Sequence, residues 1–335
     1  MRPTIRDVAK ELNLSITTVS RALDGYDDVA EETRQLVIKT AKKMHYAPNR
    51  AARQLRLQRA ETVGFIIPSL SKRFNEAFFT EFIAGLGEEL STWNFDLLVS
   101  NATTDEGERN LYHRWVNSNK VDGFILNRIH KHDWRVRYLS QQDIPFVALG
   151  KSKDRLNYPY IRIEGADAYL NLVRQIQRKG FSRFAFVGGP NDLIEHIERL
   201  HWFKTGLKKC SLQVERGNVV STDMSSTDGY EATRALLTSS IPPDAIFCVN
   251  DEIAFGALHA AHELGLKIGT DIAVAGFDGV QDAKYSEPPL TTLDIPVFEI
   301  ARQLVKMLLK TITGETVVSP ILIKPNLLLR PSTGG

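Results

Sequence analysis

The sequence is poor in cysteine, with only Cys210 and Cys248 in 335 residues. Two cysteines cannot build a disulfide framework or a four-cysteine metal site, so both are expected to be reduced and buried. No stretch reaches the roughly 18 consecutive apolar residues of a membrane helix, and no apolar run follows the charges of residues 1–7, as a secretory signal would require. These absences predict a cytoplasmic protein without a membrane partner. The length predicts two or more domains.

The usual motifs of nucleotide and hydrolase chemistry are also missing. Gly188-Gly189-Pro190 does not match Gly-x-Gly-x-x-Gly, and neither a Gly-x-x-x-x-Gly-Lys-Ser/Thr loop nor a Gly-x-Ser-x-Gly elbow occurs. His130 and His132 could suggest a metal site, but two histidines in a polar loop are more often surface residues. No catalytic residue, metal or cofactor is therefore predicted.

Charge is distributed unevenly along the chain. Residues 1–60 contain 12 Lys/Arg and 7 Asp/Glu, a net charge of +5, whereas the remainder carries 30 basic and 33 acidic residues, a net charge of −3. A small basic segment joined to a slightly acidic body is consistent with a polyanion-binding module, although a chance surface excess explains the charge equally well.

The first 47 residues predict three short helices. Thr4-Ile5-Arg6-Asp7 resembles a capping box, Ser15 can cap a second helix, and a third runs from about Ala30 to Met44. Apolar residues recur on one face of each helix, namely Ile5, Val8, Ala9 and Leu12, then Val19, Ala22 and Leu23, then Val37, Ala41 and Met44. Two helices joined by a tight turn and braced by a third form a helix-turn-helix.

The outer side of the second helix has the chemistry of a major-groove reader. It carries Ile16, Thr17, Ser20 and Arg21, which are an aliphatic group, two hydroxyls and a cation. Arg6, Arg34 and the lysines at 39, 42 and 43 are candidates for phosphate contacts. A three-helix bundle with solvated polar residues, or a protein-binding module, remains the alternative.

Pro48 ends the third helix, and residues 48–60 are predicted to be a hinge helix and linker. Residues 50–57 have helical composition but form only about two turns, too short to be stable alone in water. Arg50, Arg53 and Arg56 recur every three residues around Leu55, which has little core to join. Basic residues around one leucine wedge suit the minor groove, and an ordinary linker is the alternative.

These segments together resemble the head of the LacI/GalR bacterial repressors. The resemblance is carried in order by residues 4–9, 15–23, 29–34 and 46–50. It implies that Ile16 and Thr17 occupy variable base-reading positions, that Arg21 contacts DNA, and that Leu55 opens the central operator step. The predicted DNA-binding residues are Thr4, Arg6, Ser15, Ile16, Thr17, Ser20, Arg21, Asn49, Arg50, Arg53 and Leu55.

From Glu61 onward, short apolar runs alternate with helical stretches. The predicted strands are 62–67, 95–99, 122–126, 145–149, 183–187, 245–249 and 272–276, and the helices include 78–90, 166–179, 227–237 and 253–264. Such alternation predicts parallel sheets covered on both faces, and a second series beginning near Tyr160–Glu164 predicts two doubly wound α/β lobes. The domains are therefore 1–47, 48–60 and 61–335. Lobe 1 takes about 61–160 with a return segment near 291–320, and lobe 2 takes 161–290 with the C-terminal strand.

Polar and aromatic residues follow several predicted strands, where lobed parallel sheets bind ligands. Aromatic rings with Asp, Asn and Arg suit a polyhydroxylated ligand. The predicted ligand-binding residues are Phe74, Phe78, Asn127, Asp133, Arg135, Arg199, Trp202, Asn250 and Asp278. Each has an alternative: Phe78 can belong to the core, and acidic residues such as Asp192 or Asp251 can cap helices.

The body also resembles the LacI/GalR family, through residues 188–190, 248–256, 274–278 and 288–293. The family's periplasmic-binding-protein fold is implied for the lobes, and ligand roles are implied for Phe78, Arg199, Asn250 and Asp278. Two departures concern pocket shape: a longer stretch precedes Phe78-Phe79, and His201-Trp202 replaces the usual acidic residue and glycine. The longer loop and residues 127–139 look most like the α-glucoside-responsive branch.

The resemblance implies a ligand-responsive repressor, associated with the nucleoid, that a mono- or disaccharide releases from a palindromic operator. A sugar- or nucleoside-binding protein of periplasmic type, an enzyme and a corepressor-dependent repressor are the alternatives. Since Pro331–Gly335 carries no leucine heptad, homodimers are expected rather than tail-assembled tetramers. The effector, the operator and the target genes stay unassigned.

Overall fold

The computed structural model describes residues 3–46, 59–68 and 77–335. The chain divides into two compact units, Met1–Ala60 and Glu61–Gly335, which we call the head and the body. Each is described by itself. The predicted hinge helix falls mainly on residues 47–58, outside the described residues.

The head contains the predicted helices, α1 (Ile5–Leu12), α2 (Ile16–Leu23) and α3 (Glu31–Lys43). Asn13, in the left-handed conformation with φ 50°, ends α1 and allows the tight turn into α2. The fully buried core consists of Val8, Ala9, Val19, Ala22, Val29 and Val37. Ile5, Leu12, Leu23 and Met44, predicted to face inward, are only half-buried at its edge because so small a bundle has little interior.

The body consists of two α/β lobes, which confirms the predicted fold class. In lobe 1 the elements are β1 (Thr62–Ile67), α4 (Ala77–Thr92), β2 (Asp96–Asn101), α5 (Asp105–Asn117), β3 (Gly123–Leu126), α6 (Trp134–Gln141), β4 (Phe146–Leu149) and β5 (Tyr160–Ile163). In lobe 2 they are α7 (Ala166–Arg178), β6 (Phe184–Gly188), α8 (Ile194–Lys209), β7 (Val219–Ser221), α9 (Ser226–Leu237), β8 (Ala245–Cys248), α10 (Asp251–Glu263), β9 (Ala273–Asp278) and β10 (Thr291–Asp294). The last elements are α11 (Val297–Thr313), β11 (Ile321–Ile323) and β12 (Asn326–Leu328).

The described strands form two six-stranded sheets. Their orders are β11-β5-β4-β3-β1-β2 in lobe 1 and β12-β10-β9-β8-β6-β7 in lobe 2. All neighbours are parallel except β10 and β12, which pair antiparallel. The central strands β3, β6, β8 and β9 are buried along their whole length because helices cover both faces.

The chain passes between the lobes three times: from β5 to α7, from β10 to α11, and from β11 to β12. Helix α11 packs on α4 and on strands β3 to β5, so it belongs to lobe 1 although it follows lobe 2 in the chain. Lobe 1 is therefore completed by residues 297–323, and lobe 2 by β12. No helix within the described ranges is both long enough and apolar enough to cross a membrane.

Candidate functional site

The outer face of α2 is the candidate DNA-reading surface of the head. Ile16, Thr17, Ser20 and Arg21 line one shallow depression together with Tyr26. Ile16 is 45% exposed and therefore accessible to a partner. The opposite face of the helix is anchored because Val19 and Ala22 are buried.

Two caps hold the first helices in place. The Ser15 hydroxyl accepts a hydrogen bond of 2.9 Å from the Thr18 backbone N–H at the start of α2. At the start of α1, the Thr4 backbone N–H and hydroxyl each donate to the Asp7 carboxylate at 2.8 Å. The backbone N–H of Thr4 lowers the pKa of Asp7. Thr4 and Ser15, predicted as DNA contacts, thus also hold the backbone that presents α2.

Arg21 does not extend freely from α2. Its Nε donates to Asp28 Oδ1 at 3.1 Å, its Nη2 contacts the other carboxylate oxygen, and its guanidinium carbon lies 4.8 Å from the centre of the Tyr26 ring. Arg6 is exposed. Asn49, Arg50, Arg53 and Leu55 lie outside the described residues, as does Phe74 of the predicted ligand site.

In the body, a cavity lies between the two lobes. Six predicted ligand residues line it: Phe78, Asn127, Arg199, Trp202, Asn250 and Asp278. The other described lining residues are Arg128, Ile129, Leu149, Gly150, Ile163, Ile194, Glu195, Glu198, Met224 and Ile295. An apolar wall with a few convergent polar groups is typical of a small-molecule site.

Arg199 and Asp278 form the main polar contact of lobe 2 in the cavity. Arg199 Nη2 donates to Asp278 Oδ1 at 3.1 Å, Nη1 donates to the Val249 carbonyl, and the guanidinium carbon lies 3.7 Å from the centre of the Phe277 ring. Burial alone would lower the pKa of Arg199, but Asp278, Glu195 and Tyr169 together raise that pKa. Asp278 has φ 109°, a conformation that residues other than glycine rarely adopt and that is concentrated at functional sites.

Asp251 holds the loop that follows Asp278. Its Oδ2 accepts from the backbone N–H groups of Gly279 at 2.8 Å and Val280 at 2.9 Å, and its Oδ1 accepts from the Thr292 hydroxyl at 2.6 Å. Burial raises the pKa of Asp251 to about 7. In the sequence, Asp251 is a polar residue that follows a strand and can cap a helix; its contacts 28 and 41 residues away leave no signal in the local pattern.

On the lobe 1 side, Arg128 follows Asn127 and reaches toward lobe 2. Its guanidinium carbon lies 5.1 Å from the centre of the Phe79 ring, and its Nε lies 3.9 Å from Glu195 Oε1. Arg128 has φ 47°, in the left-handed region. Neither Arg128 nor Glu195 was among the predicted site residues, although Arg128 directly follows a predicted one.

The ligand role predicted for Asp133 and Arg135 is corrected by the structure. Both are buried, with 0% and 1% exposure, and neither lines the cavity. Arg135 donates to Asp133 Oδ2 at 2.7 Å, to Glu108 Oε1 at 3.3 Å, and to the carbonyls of Asn127 and Arg128 at 3.1 and 2.9 Å. The two residues therefore support the loop behind Asn127.

The ion pair between Asp133 and Arg135 changes the pKa of Asp133. Burial alone would raise the pKa of Asp133, but the charge and hydrogen bonds of Arg135 hold it at about 2. Burial raises the pKa of Glu108, which lies farther from the guanidinium. The Asp133 carboxylate also caps α6 by accepting from the Arg135 backbone N–H at 2.9 Å.

Trp202 and Asn250 have structural partners as well as a place at the cavity. The Asn250 side chain caps α10 by accepting from the Ile253 N–H at 2.9 Å. The Trp202 ring lies against Gly165, where a Cβ would come within 2.7 Å of two ring carbons. Glycine at 165 thus makes room for the indole at the lobe crossing.

Comparison with known proteins gives consistent results for both units. A family model described as "Bacterial regulatory proteins, lacI family" matches residues 4–49, and a "Periplasmic binding protein-like domain" matches residues 173–333. The HTH-type transcriptional regulator AglR of Rhizobium meliloti (strain 1021) is 31% identical over 100% of this chain and 95% of its own length.

Several solved structures resemble the whole chain, among them the following two. A transcriptional regulator CelR–cellobiose complex has a TM-score of 0.74 at 27% identity, covering 99% of this chain and 100% of that one. The lac repressor dimer bound to operator and the anti-inducer ONPF has a TM-score of 0.83 at 25% identity, covering 99% of each chain.

Proposed function

This chain belongs to the LacI family of bacterial regulatory proteins, and on that premise we propose that it is a sugar-controlled repressor of sugar-utilisation genes. A DNA-binding transcription regulator is the function shared by its full-length relatives. The observation that carries the proposal is the presence of two sites in one chain: the exposed face of α2 and the cavity lined by Arg199 and Asp278.

For the head, we infer that α2 enters the major groove of a near-palindromic operator. Hydroxyl, aliphatic and guanidinium groups can distinguish base edges there, with Ile16 suited to a thymine methyl and Arg21 to guanine or phosphate. Because one eight-residue helix reads few base pairs, two heads related by a two-fold axis are needed, and a homodimer is the proposed assembly. A monomer bound to operator, measured by light scattering, would contradict this.

For residues 48–60, we propose a hinge whose Leu55 enters the minor groove. Leu55→Ala is expected to weaken specific operator binding by about 1 to 3 kcal/mol, the scale of unstacking a base step, and to leave thermal stability unchanged. A large loss of stability would instead identify Leu55 as a core residue.

For the body, we propose an uncharged mono- or disaccharide as the effector, with α-glucosides the first candidates. Arg199, Asp278, Asn250 and Asn127 supply directional hydrogen bonds to hydroxyls, and Phe78 and Trp202 supply apolar faces for a sugar ring. The structure of the CelR relative is titled a cellobiose complex, which supports this ligand class. The cleft is proposed to bind its ligand without converting it, in the bacterial cytoplasm at the nucleoid.

The proposed mechanism is a shift in lobe arrangement. A ligand that contacts both lobes favours one arrangement over the other, and the hinges that follow the head respond to it. Couplings of this kind are typically about 1–3 kcal/mol and must be reciprocal between ligand and DNA. Release by the sugar is the proposed direction.

The test is operator binding by fluorescence anisotropy, with a duplex selected from a random library and with added sugars. One sugar is expected to weaken operator binding by about 5- to 150-fold. Asp278→Asn should remove this response and keep operator binding, while Asp282→Asn, an exposed residue of the same lobe, should behave as wild type.

The alternatives give different results. A sugar that strengthens operator binding would identify a corepressor, and absence of operator binding with retained sugar binding would favour the periplasmic type. Turnover of a bound sugar would indicate an enzyme.

A further inference from the structure

Two polar side chains that line the cavity have buried atoms without a hydrogen-bond partner within the described part of the chain. They are Asn127, through both Nδ2 and Oδ1, and Glu195, through Oε1. Asn127 follows β3 in lobe 1, and Glu195 lies in the first turn of α8 in lobe 2. Because an unpaired buried polar group is unfavourable, a ligand that pairs both side chains is favoured and necessarily bridges the lobes.

The chemistry of these atoms restricts the ligand. The Asn127 amide offers both a donor and an acceptor, whereas a carboxylate oxygen such as Glu195 Oε1 can only accept. A hydroxyl can donate to Glu195 and exchange hydrogen bonds with Asn127. A fully ionised phosphate or a carboxylate placed at this position has only acceptors and cannot pair with Glu195.

The charges around the cavity also favour an uncharged ligand. The described lining residues include two guanidinium groups, Arg128 and Arg199, and three carboxylates, Glu195, Glu198 and Asp278. Arg199 is paired with Asp278 at 3.1 Å, and Arg128 lies 3.9 Å from Glu195. An anionic ligand would have to compete with a protein carboxylate for either cation.

We propose that Glu195 determines the charge of the ligand: it accepts a hydrogen bond from a ligand hydroxyl and repels phosphate and carboxylate groups. The cleft then takes uncharged sugars and rejects their phosphorylated and acid forms. This inference rests on the proposed function, in which the cleft is the effector site.

A purely structural role for Glu195 would be an ion pair with Arg128. The separation of 3.9 Å is too long for a hydrogen bond, so the Arg128 contact leaves Glu195 Oε1 without a donor. The two roles predict different results for Glu195→Gln. This substitution keeps the side chain's size and one acceptor but removes its charge.

The experiment is isothermal titration of the full-length protein with matched pairs of compounds: trehalose and trehalose 6-phosphate, maltose and maltose 6′-phosphate, glucose and glucuronate. We expect at least one neutral compound to bind and its charged partner to bind at least 100-fold more weakly. Glu195→Gln should lower the affinity for the neutral compound by up to tenfold. It should also reduce the ratio of the neutral to the charged compound's affinity by at least tenfold. The control is Glu231→Gln, an exposed glutamate of α9, which should leave both affinities unchanged.

Three results would overturn the inference. The first is a charged compound that binds wild type as tightly as its neutral partner. The second is a Glu195→Gln variant that loses the same factor of affinity for both members of a pair. The third is that wild type binds none of the compounds. Measuring operator binding with the same protein preparations distinguishes a failure of the Glu195 inference from a failure of the proposed function. Retained operator binding with a preference for a charged sugar rejects the role of Glu195 and the uncharged effector but keeps the DNA-binding repressor, whereas loss of operator binding in wild type rejects the repressor.

Discussion

The imidazole of His130 in lobe 1 lies 2.7 Å from the carboxylate of Asp192 in lobe 2, measured from Nδ1 to Oδ2. The backbone reinforces this contact, because Lys131 N–H donates to the Asp192 carbonyl at 2.6 Å and Ile194 N–H donates to the Ile129 carbonyl at 2.8 Å. Beside the cavity, the lobes are thus joined by a short antiparallel backbone bridge between His130 and Leu193 and by the His130–Asp192 side-chain pair.

We expect Asp192→Asn to weaken binding of a sugar effector by up to about fivefold. The side-chain pair favours the lobe arrangement of this structure, but Asp192 is 64% exposed, and such pairs contribute only about 0.2–1 kcal/mol. Titration calorimetry on wild type, Asp192→Asn, His130→Gln and the double variant gives the coupling energy between the two residues. A coupling of zero would show that the backbone bridge alone holds the lobes.

A second prediction concerns the partner of Arg21 in the head. Asp28→Asn should strengthen binding to operator and to random DNA by about 0.5–1 kcal/mol, because it frees Arg21 and removes a negative charge beside the proposed DNA-reading face. Anisotropy at two salt concentrations measures this. Asp27→Asn makes the same charge change at an exposed neighbour, so an equal gain from both variants would mean that net charge, and not the release of Arg21, is responsible.

A third prediction tests the corrected role of Arg135. Arg135→Met leaves Asp133 and Glu108 buried without their cation, which should lower the free energy of unfolding by about 3–5 kcal/mol. Arg137→Met on the same helix breaks a 3.7 Å contact with Asp154 from a half-exposed position and should cost less than about 1 kcal/mol. Urea unfolding compares the two variants, and similar losses would contradict the assignment of Arg135 as the buried anchor.

A fourth prediction concerns pH. Burial raises the pKa of Asp251 from 3.8 to about 7 in the folded chain, so between these values the folded state binds more protons than the unfolded state. The contribution of Asp251 to stability is complete below about pH 4 and is lost as the pH rises through 7. The unfolding free energy of wild type relative to Asp251→Asn should therefore fall by a few kcal/mol between pH 5 and 8. A difference that does not vary with pH would contradict the raised pKa.

The regular parts of this molecule could be predicted from sequence because their signals are local. Ser15 and the capping box at Thr4 mark the starts of helices. The apolar runs that form β6 and β8 are buried along their whole length, so their composition alone identifies them as strands. The short strands β5, β7 and β11 were not separately predicted, and β12 was predicted only as a C-terminal strand without bounds. They have only three or four residues and are partly exposed, so their apolar pattern is weak.

The cavity shows what the sequence pattern could not predict. Residues after parallel strands were predicted to converge, since the carboxyl ends of such strands meet at one edge. The pattern does not show which way each side chain turns. Asn127 faces the cavity, but Arg135 turns back toward Glu108, a residue 27 positions earlier. Likewise, the room for Trp202 depends on Gly165, at a crossing 37 positions away.

The three crossings between the lobes set the order in which the chain can fold. During synthesis the head and the first four strands of the body emerge early, but lobe 1 lacks α11 and its edge strand β11, and lobe 2 lacks β12. Ser332, which is fully buried and donates to the Val274 carbonyl at 2.6 Å, arrives later still. Both sheets are therefore closed by the same final segment, residues 321–335. The head depends on no later segment for its core, whereas each sheet of the body lacks an edge strand until residues 321–328 have been made, so we expect the two lobes to be completed together.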